Sequence, residues 1–357
     1  MQKQPHKFLL YLDQNYVSSI TKELLGRTHP VHAAYGKLMG KLFEVISRLV
    51  EEDGMLCPES TIHDQEFGFD PSLAAPAHRL LKNLSNGISF LSYGHIEMGQ
   101  VLRAQRRYLG QPVEPECGRW EQAFYSDPHS PIERPRVYVH IPTPAEFAVE
   151  DKKRKDLIQA FRTRARTPGP LRVAASLAEY KRQEMLSVVQ WRYVVACQEY
   201  SDSLRAVVDG TSPFPRLSPN WTWEDFADYC KTAYPPLAVS VLTEYLALAG
   251  GIDGRPDRPF WSFFSSPEFG AVQYYDVFTS LEAGFRFYRP SRAPRPSDPY
   301  DYAALASVLP YVDGVTTDRE MKDMLVRLGL HRKYAVEVYS AGQKDVVALT
   351  ERLGMLK

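Results

Sequence analysis

Short runs of consecutive hydrophobic residues alternate along this chain with longer stretches in which hydrophobics recur every three or four positions. Phe8-Leu9-Leu10-Tyr11-Leu12 is apolar at every position and stops at Asp13. An unbroken run of this length predicts a strand buried on both faces. Residues 15–25 read as a short helix. Residues 31–52 read as a longer amphipathic one, with Leu38, Leu42, Val45, Ile46 and Leu49 at helical spacing. A second strand is predicted over 54–58, and Pro58-Glu59-Ser60-Thr61 then starts a helix carrying His63 and Glu66. Residues 88–92 (Ile-Ser-Phe-Leu-Ser) give a third strand and 95–109 a basic helix. Strands alternating with helices imply right-handed crossovers and a parallel sheet.

The same alternation resumes near the C-terminus. Tyr302 to Leu309 reads as a helix, Val312–Thr317 as a strand and 319–329 as a helix. Ala335–Tyr339 gives a last strand and 343–353 a last helix. Residues 111–295 differ: they hold most of the prolines and Trp191, Trp221, Trp223 and Trp261, with helical stretches at 173–208 and 235–249. The expected organisation is an α/β, Rossmann-like three-layer core in two halves, 1–110 and 296–357. A mainly helical insertion, 111–295, separates them and is bounded by Pro-rich segments at 128–144 and 289–299.

Composition narrows the picture only slightly. At 357 residues the chain has room for this core and its insertion, and 44% hydrophobic residues suffice for a core. Lys+Arg and Asp+Glu each number 43, so a nucleic-acid role has to rest on local basic faces. Cys57, Cys117, Cys197 and Cys230 form no C-x-x-C and suit a reducing compartment better than a disulfide framework or zinc site. No stretch approaches the roughly 18 apolar residues of a spanning helix. The early apolar run has no cleavage site, so the expectation is a soluble, cytoplasmic protein with no membrane partner.

The chemistry-bearing residues are acids at predicted strand ends and helix starts. Asp13 closes the first strand, Glu66 follows the second, Asp298 and Asp301 open a helix, and Asp318 closes the Val312–Thr317 strand. In a parallel sheet ligands sit outside the carboxyl ends of the strands, so these acids are predicted to share one rim. Clustered carboxylates repel one another, and a divalent cation is the usual remedy. Asp313 lies five residues before Asp318, about 16 Å along a strand, and so belongs to the opposite end as a turn cap or a pairing residue at the base.

Leu10-Tyr11-Leu12-Asp13-Gln14-Asn15, Ser60-Thr61-Ile62-His63-Asp64-Gln65-Glu66, Asp298-Pro299-Tyr300-Asp301 and Val315-Thr316-Thr317-Asp318 together resemble the four acidic elements of the PIN domain, a nuclease-associated fold. The resemblance covers residues 1–110 and 296–357 and leaves the insertion unexplained. It implies an endoribonuclease in which Asp13, Glu66, Asp301 and Asp318 hold Mg²⁺ or Mn²⁺, with Asp298 as the alternative to Asp301. It also implies a metal-activated water as nucleophile, RNA as substrate, and a toxin or defence role. Self-association through the insertion is open. The alternative is a non-catalytic RNA- or protein-binding module on the same fold. A haloacid-dehalogenase-type phosphatase also ends its first strand in Asp, but it needs a second Asp where this chain has Asn15.

Other residues carry two readings each. Asn15 either holds a water or phosphate beside Asp13 or caps the helix that begins there. His63, three residues before Glu66, either orients a phosphate or is a satisfied polar residue at the sheet edge. Ser60 fits an N-cap better than a nucleophile. Lys152, Lys153, Arg154 and Lys155 open the strongest basic run, which either tracks a nucleic-acid backbone or is a solvated face. Arg292 and Arg295 precede Asp298 and enter the acidic rim directly, as further nucleic-acid contacts.

Overall fold

The computed structural model describes residues 7–63, 71–111, 113, 123–124, 176–188, 263, 266–295 and 297–356. Four parallel strands form one sheet in the order β2-β1-β3-β4, with β1 Phe8–Tyr11, β2 Met55–Leu56, β3 Gly314–Thr317 and β4 Glu337–Ser340. The helices are α1 Gln14–Leu24, α2 Ala33–Glu51, α3 Pro71–Ser85, α4 Tyr93–Tyr108, α5 Pro267–Gly270, α6 Gln273–Tyr288, α7 Asp298–Val308, α8 Arg319–Arg327, α9 Leu330–Lys333 and α10 Gln343–Gly354. A further helical stretch covers 177–188. Strands alternate with crossover helices, so the fold class is α/β.

β1 is buried at every position because the sheet is covered on both faces. Phe8, Leu10 and Leu12 enter one core with Val17 and Ile20 of α1, Leu42 and Ile46 of α2, Leu81 of α3 and Leu349 of α10. Leu9 and Tyr11 enter the other with Val101 of α4, Leu281 of α6, Leu305 of α7 and Leu325 of α8. The period-2 alternation of one strand thus holds two helical layers apart. Gly314 is required where β3 meets β1: a Cβ there would lie 3.0 Å from Leu10 Cδ1 and 3.2 Å from the Phe8 ring.

Three departures from the sequence pattern have physical causes. Residues 88–92 do not form a full strand; Glu59 bridges Ser89 in parallel and Phe90 bridges Phe124 antiparallel, a ragged continuation of the sheet beyond β2. Helix α6, inside the stretch assigned to the insertion, packs Val277, Leu281 and Phe285 into the same core as α4 and α7. Residues 177–188 lie against it as well, with Met185 and Val188 on that core and Lys181 Nζ 2.5 Å from Asp276. Asp276 also accepts from Lys333 Nζ at 2.8 Å and the Tyr334 hydroxyl at 2.7 Å, so this buried carboxylate is fully paired. No helix among the described residues is long and apolar enough to cross a membrane.

Candidate active site

The strand order creates a switch point. From β1 the chain crosses to β2 on one side; β3 later arrives on the other. A crevice opens outside the carboxyl ends at such a point, between β1 and β3. Leu10 pairs Gly314 and Tyr11 pairs Val315, and continuing this register sets Asp13 opposite Thr317, next to Asp318. The base of the same pair is fixed by Asp313, whose Oδ2 accepts from the Leu9 N–H at 2.8 Å. Asp313 therefore serves the amino end of the sheet, as a pairing residue.

Asp13 is the N-cap of α1, with extended backbone (φ −65°, ψ 156°), but its side chain makes no cap hydrogen bond. Its backbone N–H donates to Thr316 Oγ1 at 2.7 Å, fastening the end of β1 to β3. Asn15 is exposed and donates from Nδ2 to Asp13 Oδ2 at 2.9 Å, so it holds the acid while Asp13 occupies the cap position. Asp318 is the N-cap of α8, and its Oδ1 accepts from the Met321 N–H at 2.7 Å. Among the described residues, none hydrogen-bonds its Oδ2. Asp301 stands in the first turn of α7, where the positive end of a helix favours a carboxylate. All three acids are partly exposed, so solvent reaches them.

Burial first, and the neighbouring acids second, raise the proton affinities of Asp13 and Asp301. Burial pushes the Asp301 carboxyl up to about 7, helped in order by the charges of Asp13, Asp318 and Asp298. Burial also lifts Asp13 to about 6; the Asn15 hydrogen bond opposes the rise and the Asp318 charge adds to it. Three acids from three separate segments thus share one field.

Asp298 is different. Arg292 donates from Nη1 to its Oδ2 and from Nη2 to its Oδ1, both at 2.7 Å, and the Arg295 N–H adds a third bond at 2.7 Å. Both oxygens are taken, so of the two acids in the first turn of α7 only Asp301 faces the cluster unpaired by a cation. Arg292 is correspondingly held by Asp298 and Glu320 and is only 14% exposed, whereas the Arg295 side chain is 58% exposed.

His63 is a fastener. Its ring is 1% exposed, Nδ1 accepts from the Ser60 N–H at 3.2 Å, and Nε2 lies 2.7 Å from the Leu12 carbonyl, which requires the Nε2–H tautomer. It stacks on Tyr11 with centroids 5.1 Å apart. Burial pushes its pKa down to about 4, so it is neutral and both nitrogens are used. Ser60 caps the turn, accepting from the Ile62 N–H. Glu66 and the basic run Lys152, Lys153, Arg154 and Lys155 lie outside the described residues.

Thr316 and Glu320 were not singled out by sequence reasoning. The adjacent Thr-Thr-Asp ending offered a signal for Thr316; Glu320 offered none, because its partner Arg292 is 28 residues away in sequence. Oxygen donors such as Asp13, Asp301 and Asp318 suit Mg²⁺ or Mn²⁺ by their hardness. Among the described residues, no three His, Cys, Asp or Glu side chains form a group arranged to hold a metal ion. The three acids form a charged cluster without a closed ligand shell. No family model, curated protein or solved structure matches the chain.

Proposed function

We propose that this chain is a metal-dependent endoribonuclease with a PIN-like arrangement of acids. The observation that carries the reading is the convergence of Asp13, Asp301 and Asp318, from three separate segments, at the β1–β3 switch point, where burial first and the neighbouring acids second raise the Asp301 carboxyl to about 7. Gathering three acids at one rim costs stability through burial and repulsion, beyond what helix capping requires. Such a cluster is what cation binding needs.

In this reading Asp13, Asp301 and Asp318 are the ligands, with Glu66 as the fourth acid. Bound Mg²⁺ or Mn²⁺ would supply an activated water and neutralise charge on the phosphodiester. Asn15 keeps the Asp13 carboxylate in place through its 2.9 Å bond. Asp301, whose carboxyl burial and its acidic neighbours hold near 7, would bind a cation in its deprotonated form. Thr316 keeps the β1 and β3 ends, and so Asp13 and Asp318, at a constant separation. RNA as the substrate, and a toxin or defence role, rest on the PIN resemblance alone.

The experiment is cleavage of an RNA pool by the full chain with Mn²⁺, with chelator, and after Asp13→Asn and Asp318→Asn. Mn²⁺-dependent cleavage, lost with chelator and in both variants, is the expected result. A second reading, a binding module with a weakened site, is favoured by the capping bond of Asp318. It predicts RNA retention without cleavage in wild type and variants alike.

A further inference from the structure

The network beside the acids has a role that the metal-site reading, on which this inference rests, does not itself require. Arg292 hydrogen-bonds one carboxylate through its fork and forms an ion pair with a second through Nε, without a hydrogen bond there. The Nη1 and Nη2 fork grips both oxygens of Asp298 at 2.7 Å, and Nε lies 3.1 Å from Glu320 Oε1. Its plane sits over the Phe285 ring at 4.5 Å. Arg295 closes the same loop from the other side, with its N–H on Asp298 Oδ2 at 2.7 Å and Nη2 3.2 Å from Glu320 Oε2.

The two carboxylates so joined mark the starts of two different helices. Asp298 is three residues before Asp301 in the first turn of α7. Glu320 is two residues after Asp318 in the first turn of α8. One guanidinium therefore bridges the neighbours of two acids that stand on different helices. We propose that Arg292 is a positioning residue for the metal site, setting the separation of Asp301 and Asp318 through Asp298 and Glu320, rather than a contact to nucleic acid. Lysine cannot substitute, because a point charge lacks the planar fork that grips both Asp298 oxygens while Nε lies beside Glu320.

Mn²⁺ titration of the full chain, followed by electron paramagnetic resonance at a temperature where melting curves show every variant folded, tests this. Arg292→Lys keeps the charge and loses the fork; we expect Mn²⁺ affinity to fall roughly 10- to 100-fold, as for other residues that orient a metal's ligands. Glu320→Gln should weaken binding less but in the same direction, with Asp298 still held. Asp276→Asn is the control: it breaks a buried ion pair near the amino end of β4, lowers the melting temperature, and should leave Mn²⁺ affinity unchanged. Wild-type affinity in Arg292→Lys, or an equal loss in Asp276→Asn, overturns the positioning role while leaving the metal site standing. Wild-type protein that binds no Mn²⁺ overturns both.

Discussion

The backbone N–H of Asp13 donates to the Thr316 hydroxyl at 2.7 Å, across 303 residues of sequence. This bond, rather than any contact between the acids themselves, joins the two halves of the sheet at the rim. It is made at the position where β1 must stop pairing and turn into α1.

Thr316→Val should leave that N–H unpaired. Thr316 is fully buried, so the shape is kept while the acceptor for Asp13 and the hydroxyl's own 3.3 Å donation to the Tyr11 carbonyl are lost. A loss of about 1–3 kcal/mol is expected in urea denaturation. Wild-type stability would show that the bond does not hold the strands together.

Asp298→Asn and Asp301→Asn, three positions apart, should move stability in opposite directions. Asp298 is paired within a buried network, and removing its charge leaves Arg292 with Glu320 as its acid partner; about 1.5–3 kcal/mol of destabilisation is expected from the lost charged hydrogen bonds. Asp301 has a folded pKa of about 7, above its unfolded value, so ionisation favours the unfolded chain as pH rises from about 4 through 7. Asp301→Asn should therefore stabilise the metal-free protein at pH 8 by on the order of 1–3 kcal/mol, discounted for its partial exposure. That gain should vanish below pH 4. Melting temperatures at pH 8 and pH 4 in chelator check both signs.

His63 acts the other way. Its folded pKa of about 4 lies below the unfolded value, so its stabilising contribution is present above about pH 6.5 and is lost as pH falls towards 4. Asp13 and Asp301 gain protons in the same window and offset part of that loss. His63→Gln should flatten the decline in stability between pH 6.5 and 4 relative to wild type, at the cost of lower stability at pH 8. An unchanged slope would mean that the imidazole is not held neutral.

How much of this was legible in the sequence depends on the distance over which each residue is fixed. The run Phe8–Leu12 ending in Asp13 and the Val312–Asp318 segment were readable, because strand burial imposes a local pattern on every residue. The base role of Asp313 followed from strand rise alone. The choice between Asp298 and Asp301 was not readable: both suit the first turn of a helix, and the difference is made by Arg292, whose pairing depends on the loop's path. Helix α6 falls within the insertion in the sequence because prolines and tryptophans mark that stretch and the Pro-rich segment at 289–299 follows it; its partners in the core are α4 and α7. Residues 88–92 carry a strand's composition, yet pairing at the sheet edge is limited to single bridges.

The most direct test of the central claim is an anomalous difference map from a crystal of the full chain soaked in Mn²⁺. A peak within coordination distance of Asp13, Asp301 and Asp318, at the carboxyl ends of β1 and β3, is the predicted result. A map with no peak at that rim, from crystals whose Mn²⁺ occupies other sites, would contradict it.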